Sequence, residues 1–220
     1  MDRILGLDEA GRGSWLGPLV VGGFLVAADR VPLLRELGVK DSKALAPRRR
    51  EVIYEKLADV GTPLRVALAP DQIDPRVARN ELNRLEAEAF ASLVRAARPT
   101  ETRVDACDVD ARRFGRTVRR LSGREGPVRS RHKMDRDDPV VAAASIVAKV
   151  ERDRALGDLA SRLGEPIGSG YPSDPRTVRF VHARWALDPG SLAGVLRRSW
   201  APSQRLILAR PDRTLDDFAP

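Results

Sequence analysis

Near its start the chain reads Ile4-Leu5-Gly6-Leu7-Asp8-Glu9-Ala10-Gly11-Arg12-Gly13, an apolar run that ends in two carboxylates and a glycine-rich turn. The apolar run predicts a buried strand. Two buried charges at its end are unfavourable unless they are compensated, and hard divalent cations prefer carboxylate oxygens. The glycines let a ligand approach the backbone, and an arginine suits a phosphate. The stretch therefore indicates a metal-dependent enzyme acting on a phosphate-bearing polymer, and its alternative is a strand that ends in a solvated acidic turn.

Length and charge narrow the class of protein. A chain of 220 residues is one domain, or one domain with a small appendage. Its 39 Lys+Arg against 31 Asp+Glu favour a polyanionic partner, although the excess could also reflect a compositional bias toward arginine. The single cysteine, Cys107, excludes an internal disulfide, and we expect it to be a small buried residue. No secretory signal is visible, so the expected location is cytoplasmic.

Hydrophobic periodicity predicts alternating strands and helices. Strands are predicted at residues 3–8, 18–28, 64–68, 102–105 and 127–131, and helices at 45–59, 80–97, 110–121 and 139–163, with Pro-rich and helical segments from 170 to 209. The small residues Ala142-Ala143-Ala144-Ser145 allow the helix at 139–163 to pack closely. This order predicts an α/β fold, with a mixed sheet flanked by helices. We expect a main domain over 1–190, a C-terminal helical extension over 191–209 and a flexible tail over 210–220.

Two acidic segments follow predicted strands. Asp8 and Glu9 are adjacent, and neighbours on a strand point to opposite faces, so both can serve one site only if the strand ends or bulges there. Asp105 closes the strand at 102–105, and it would meet Asp8 if the two strands are neighbours, because ligands collect at the carboxyl ends of strands. Phosphodiester hydrolysis with two metal ions requires such converging carboxylates.

A third acidic segment precedes the helix at 139–163. Asp135, Asp137 and Asp138 cannot be separated by their chemistry alone, because an acid at this place could also cap the helix or complement its dipole. For Asp108 and Asp110 we expect turn formation and helix capping rather than catalysis.

Several motifs together resemble ribonuclease HII, the type 2 ribonuclease H family. The matching stretches are Asp8-Glu9-Ala10-Gly11-Arg12-Gly13 with Gly17-Pro18, Asp41-Ser42-Lys43 with Leu45, Ala143-Ala144-Ser145-Ile146-Val147-Ala148-Lys149-Val150, and Gly168-Ser169-Gly170-Tyr171-Pro172. The resemblance runs from about residue 4 to 200, and the sequence around Cys107 and around Tyr171 is similar to that of the archaeal branch of the family. One departure is that Ser14 and Trp15 follow Gly13, where the family often has a proline, which could alter the substrate-facing turn.

The resemblance implies a fold and an activity. The domain at 1–190 would have the ribonuclease H-like fold. The enzyme would cut the RNA strand of RNA/DNA hybrids and nick 5′ of single ribonucleotides in duplex DNA, leaving 5′-phosphate and 3′-hydroxyl ends, as in ribonucleotide excision and primer removal. Two Mg²⁺ or Mn²⁺ ions would be held by Asp8, Glu9, Asp105 and Asp135. The family spacing selects Asp135, which lies ten residues before Ser145, and leaves Asp137 and Asp138 as weaker candidates.

The resemblance also implies the residues that bind substrate, which are Gly11, Arg12, Gly13, Lys43 and Tyr171. Lys43 would contact a phosphate, with a surface turn as the alternative. The Tyr171 ring would pack on the sugar while its hydroxyl binds the 2′-OH, the group that separates RNA from DNA. The alternative for Tyr171 is a tyrosine packed in a turn.

The stretch 212–219 is similar to a sliding-clamp-binding peptide. Leu215 and Phe218 fit that motif, whereas Asp212 stands in place of glutamine and Ala219 in place of the second aromatic residue. An apolar plug of this kind could enter a pocket of the clamp, and the alternative is a frayed terminus.

Two other classes of protein remain to be weighed. The type 3 ribonuclease H normally has an additional N-terminal domain, for which the position of Asp8 leaves no room. A basic nucleic-acid-binding protein without catalysis would not need four placed acids and would bind without metal.

Overall fold

A five-stranded mixed sheet organises the first of two units into which the chain divides. The computed structural model describes residues 2–39 and 45–209. Of these, the first unit contains 2–10, 20–39, 45–67 and 82–151, and the second contains 11–19, 68–81 and 152–209. The boundaries predicted at residues 190 and 209, between the main domain, the helical extension and the tail, stay predictions. Lys43, Leu215 and Phe218 lie outside the described residues.

The sheet brings three parallel strands side by side. Its strands are β1 (Arg3–Ala10), β2 (Leu19–Ala27), β3 (Thr62–Leu68), β4 (Glu101–Asp105) and β5 (Val128–Arg131), in the order β3-β2-β1-β4-β5. β1 pairs antiparallel with β2 and parallel with β4, and β4 pairs parallel with β5. The carboxyl ends of β1, β4 and β5 therefore lie at the same edge of the sheet.

Eight α-helices accompany the sheet in the described part of the chain. They are α1 (Val31–Glu36), α2 (Pro47–Val60), α3 (Pro70–Val77), α4 (Leu82–Ala97), α5 (Ala111–Ser122), α6 (Pro139–Leu163), α7 (Pro175–Leu187) and α8 (Ala201–Leu208). The α/β class with a mixed sheet is confirmed, and the predicted strands and helices lie within about two residues of the observed ones. The short helices α1 and α3 were not predicted. None of the described helices is long and apolar enough to span a bilayer.

Helix α6 packs closely on the sheet because glycines lie beneath it. A Cβ atom on Gly6 would come within 2.3 Å of the Val140 carbonyl oxygen, and one on Gly22 within 2.4 Å of the Ala144 carbonyl oxygen. The small residues Ala142–Ala144 bring the helix backbone near the strands, as the sequence predicted. This half of α6 joins a core with Phe24, Val26, Ile53 and Leu57.

The second unit has a core of its own. Its buried residues come from the turn after β1, from the second half of α6, from the segment between α6 and α7, from α7 and from the segment before α8: Trp15, Leu16, Leu156, Leu159, Ile167, Phe180, Val181, Trp185, Leu192, Val195 and Leu196. Part of the predicted helical extension thus contributes to a hydrophobic core.

Candidate active site

Three aspartates meet at the carboxyl edge of the sheet. Asp8 lies in β1, Asp105 is the last residue of β4, and Asp135 lies in a 3-10 turn, Met134–Arg136, that follows β5. One carboxylate oxygen of each lies within 4.8 Å of the others. The three side chains are buried, with 5%, 8% and 3% of their residue surface exposed. The parallel pairing of the strands thus gathers three of the four predicted acids.

Ionisation of the aspartates in this cluster is unfavourable in the absence of a cation. Burial raises the pKa of Asp8, although the Lys149 charge and a hydrogen bond from Ser145 oppose the shift. Burial, followed by the charges of Asp8 and Asp135, raises the pKa of Asp105 to about 6. Crowded carboxylates that resist ionisation are the environment that a bound cation stabilises.

Ser145 and Lys149 support the cluster from helix α6. Ser145 is fully buried and donates a hydrogen bond to Asp8. Lys149 lies one helical turn later, and its Nζ donates to Ser145 Oγ. The sequence places these residues in a family-like helix but gives no indication of their role. Their spacing of four was the available signal, because such residues share a helix face.

The donor set fits a divalent cation. All three side chains offer hard carboxylate oxygens, which Mg²⁺ prefers. A cation would offset the repulsion and the burial that raise the pKa values of Asp8 and Asp105. The three residues could therefore hold a divalent metal.

Glu9 lies outside this group of three. The strand neither ends nor bulges at this position, because the pairing of β1 with β2 runs regularly through Asp8↔Gly22, Glu9↔Val21 and Ala10↔Val20. The Glu9 amide donates to Asp8 Oδ1 at 2.8 Å, and its side chain is half-buried. Among the described residues, the group of carboxylates within 4.8 Å of one another therefore does not include Glu9.

The neighbouring acids have structural contacts. Asp138 caps α6 through the amides of Val140 and Val141 and pairs with Arg103 at 2.9 Å, whereas Asp137 is exposed. The weaker candidates Asp137 and Asp138 are thus not part of the cluster.

Asp108 and Asp110 have the turn and capping roles expected of them. Asp110 caps α5 through the Arg113 amide, and Asp108 pairs with the Arg113 guanidinium at 2.6 Å. Cys107 is half-buried, rather than fully buried as expected, and its thiol lies 3.2 Å from Glu86 Oε2.

The second unit holds the glycine-rich turn. Gly11 has a φ of +86° and lies against Arg152, so a side chain there would clash as well as strain the backbone. The fully buried Arg197 donates to the carbonyls of Gly17 at 3.1 Å and Arg12 at 2.9 Å. Two buried arginines thus hold the turn that contains Gly11, Arg12 and Gly13.

Tyr171 is attached to the same turn. The Arg152 guanidinium lies 4.6 Å above the Tyr171 ring and donates to Ser14 Oγ at 2.7 Å. The amides of Trp15 and Leu16 both donate to the Gly170 carbonyl. Ser14, which departs from the family pattern, is buried, and its hydroxyl donates a hydrogen bond to the Gly170 carbonyl at 2.9 Å. A proline at this position has no hydroxyl and could not make this hydrogen bond. The predicted substrate residues of this unit are therefore neighbours, held by Arg152.

The sheet and its aspartate cluster define a hydrolytic nuclease of the ribonuclease H class. The model of the family Ribonuclease HII matches residues 5–203, and the chain belongs to that family. It therefore cleaves the RNA strand of RNA/DNA hybrids, and enzymes of this family use divalent metals.

Three archaeal relatives resemble this chain. The ribonuclease HII of Methanocella arvoryzae is 40% identical over 205 residues, which cover 93% of this chain and 91% of the relative. The crystal structure of ribonuclease H2 from Pyrococcus horikoshii has a TM-score of 0.84 at 38% identity and covers 93% of this chain and 96% of that one. RNase HII from Archaeoglobus fulgidus, solved in a complex with PCNA, has a TM-score of 0.83 at 37% identity and covers 98% and 100%.

Proposed function

We propose that this enzyme, in addition to cleaving RNA/DNA hybrids, nicks duplex DNA on the 5′ side of a single embedded ribonucleotide and leaves 5′-phosphate and 3′-hydroxyl ends. The observation that carries the catalytic half of this proposal is the convergence of Asp8, Asp105 and Asp135. Removal of ribonucleotides from DNA and of RNA primers is the cellular role that follows, in the cytoplasm.

The proposed cofactor is a pair of Mg²⁺ or Mn²⁺ ions. When bound, two such ions activate the attacking water and stabilise the leaving oxygen. Asp8, Asp105 and Asp135 would hold them, and the fourth proposed ligand is Glu9, which follows Asp8 on β1. The Lys149 charge lies close to Asp8 and favours the ionised carboxylate, which opposes the rise that burial causes in the pKa of Asp8.

The proposed reader of the ribonucleotide is the turn with Gly11, Arg12 and Gly13 together with Tyr171. A tyrosine ring fixed from one side by Arg152 can pack on a sugar while its hydroxyl binds the 2′-OH. The exposed Gly13 leaves the backbone of the turn accessible to a nucleic acid strand. Lys43 is proposed to contact a phosphate of the same strand.

A sliding clamp is the proposed protein partner. The Archaeoglobus fulgidus relative was solved in a complex with PCNA. Leu215 and Phe218 are the residues proposed to enter the clamp. A chain that ends at residue 209 should cleave short duplexes normally but lose measurable affinity for the clamp, whereas retained affinity would place the contact elsewhere.

The test uses a labelled DNA duplex with one ribonucleotide, with and without Mg²⁺ or Mn²⁺. We expect metal-dependent nicking 5′ of the ribonucleotide, with all-DNA duplex and the Asp8→Asn variant as uncleaved controls. Binding without cleavage under every metal condition would contradict the proposal and favour a binding protein.

The Tyr171→Phe variant tests the reading of the 2′-OH. Phenylalanine keeps the ring under Arg152 and removes only the hydroxyl, so cleavage at the single ribonucleotide should slow roughly threefold to tenfold, the worth of one hydrogen bond. Unchanged cleavage at that position would show that the hydroxyl does not read the sugar.

A further inference from the structure

Helix α5 and the turn that follows it carry a cluster of exposed arginines. Five exposed arginines belong to it or follow it: Arg112, Arg116, Arg119, Arg120 and Arg124. A sixth, Arg113, pairs with Asp108. Within residues 2–39 and 45–209, no acidic side chain lies at ion-pair distance from any of the five. The Arg119 guanidinium donates to the Glu125 carbonyl at 3.0 Å, and the charges of all five remain without a carboxylate counterpart in this part of the chain.

Three of these arginines line a groove between α5 and the edge strand β5. A groove of about 250 Å³ is bounded by Arg112, Arg116 and Arg119 on one side and by Val128 and Ser130 on the other. At its base Gly115 lets the helix approach the strand, because a Cβ there would lie 2.7 Å from the Ser130 Cβ. The Ser130 hydroxyl is buried and has no hydrogen-bond partner within the described residues. The groove thus combines several cations with a free hydroxyl.

Parts of this arrangement oppose the stability of the helix, although Arg119 and Arg120 lie in the last turn, where the helix dipole favours cations. Arg112, Arg116 and Arg120 repeat at a spacing of four, at which like charges repel. Arg112 also lies in the first turn, where the helix dipole disfavours a cation. Like charges that repel at this spacing, and that have no acidic partner within the described residues, are suited to an external anion.

We infer that this groove, named here the α5 groove, binds the phosphodiester backbone of the nucleic acid duplex away from the cleaved bond. Guanidinium groups bind phosphate oxygens in a bidentate manner, and the free Ser130 hydroxyl offers a further donor. The inference rests on the nucleic acid substrate of the proposed function and extends the surface that holds it.

The α5 groove is placed to continue the active site. Helix α5 begins six residues after Asp105, within the same unit, and its twelve residues rise about 18 Å. Val128 pairs with Thr102 and Ser130 with Val104. The groove therefore extends along β5 from the carboxyl ends of the strands, where the aspartates lie, toward their amino ends. A duplex with one strand at the aspartates can therefore place more distant phosphates against α5.

The test is hybrid binding by the variant R112Q/R116Q, measured by fluorescence anisotropy across a range of salt concentrations without divalent metal. Glutamine keeps the helix propensity and removes two charges. The matched control R162Q/R179Q removes two exposed arginines of the second unit. Circular dichroism melting checks that both variants remain folded.

We expect R112Q/R116Q to weaken binding of a long RNA/DNA hybrid about tenfold or more and to lower the slope of log K against log salt by about 2, close to 0.9 for each phosphate that the variant no longer neutralises. The single-turnover cleavage rate at saturating enzyme should not change. Equal weakening in the control variant would show that net charge alone acts, and unchanged binding would show that the groove serves another ligand. Either result would overturn the inference. Because the substrate is a plain hybrid, a failure to nick single ribonucleotides would leave this test intact.

Discussion

Asp135 and Asp137 lie two positions apart and have opposite environments. Asp135 is 3% exposed and joins the aspartate cluster, whereas the Asp137 side chain is 71% exposed and lies 3.8 Å from Arg131. The left-handed conformation of Lys133, with a φ of +57°, turns the chain just before Asp135. Sequence chemistry could not separate the two acids, because either could precede a helix. Only the spacing within the family-like motif selected Asp135.

The contrast predicts the outcome of two matched substitutions. Asp135→Asn should lower the rate of hybrid cleavage by at least a hundredfold, because even residues that only orient metal ligands are worth roughly tenfold to a hundredfold. Asp137→Asn should cleave at close to the parent rate. Steady-state kinetics of both variants in Mg²⁺ measure the difference, and an equal decrease in both would remove Asp135 from the site.

The raised pKa of Asp105 predicts a pH dependence of metal binding. With a pKa of about 6 in the metal-free protein, Asp105 is ionised at pH 7.5 and protonated at pH 5. Because a cation must displace this proton, Mg²⁺ affinity should fall up to about tenfold for each pH unit below 6. Isothermal titration calorimetry across this range, in buffers of different ionisation enthalpy, would report the proton released. Affinity that is flat from pH 7.5 to 5 would contradict the assignment.

At the scale of the elements, the long helix α6 could be predicted from the sequence, whereas shorter elements and long-range contacts could not. Its length and its run of small residues predicted both the helix and its close packing. The short helix α3 was missed because Pro75 lies inside it and its eight residues offer little periodicity. The support that Arg197 gives to the glycine-rich turn was also invisible, since it joins residues 180 positions apart.

Substitution by alanine should have opposite effects on stability at two glycines, Gly22, which lies beneath α6, and Gly157, which lies within it. Gly22→Ala would place a Cβ 2.4 Å from the Ala144 carbonyl and 2.5 Å from the Ala148 nitrogen, so the helix must move, at a cost of roughly 1–3 kcal/mol in the free energy of unfolding. Gly157→Ala lies in the same helix with nothing within 4 Å and should gain about 0.5–1 kcal/mol. Urea denaturation of both variants measures the difference. A neutral Gly22→Ala would mean that the helix does not rest on the strand backbone.

At the scale of the whole molecule, the aspartate cluster lowers the stability of the metal-free fold. The ionised carboxylates destabilise the metal-free fold, since the folded pKa of Asp105 lies above the ordinary value of 3.8. This cost is present above pH 6 and declines as the pH falls toward 4. Asp105→Asn should therefore raise the melting temperature of the metal-free protein at pH 7.5.

The same variant should lose most of the stabilisation by metal. For the parent protein, Mg²⁺ or Mn²⁺ at about a hundred times its Kd should add close to 2.7 kcal/mol to the free energy of unfolding. Differential scanning calorimetry with and without metal measures both effects. A metal-free Asp105→Asn protein that melts below the parent would contradict the electrostatic account of the site.

The arginines of the α5 groove belong to a chain with 34 arginines and only five lysines. Lysine is the residue whose charge cells remove by acetylation, whereas a guanidinium stays charged at any pH at which proteins fold. Acetylation of all five lysines would neutralise five of the 39 basic side chains, and the 34 guanidinium groups would stay charged. The α5 groove is lined by arginines and by no lysine, so the charge that it presents to a polyanion responds to ionic strength and to competing polyanions and not to lysine modification.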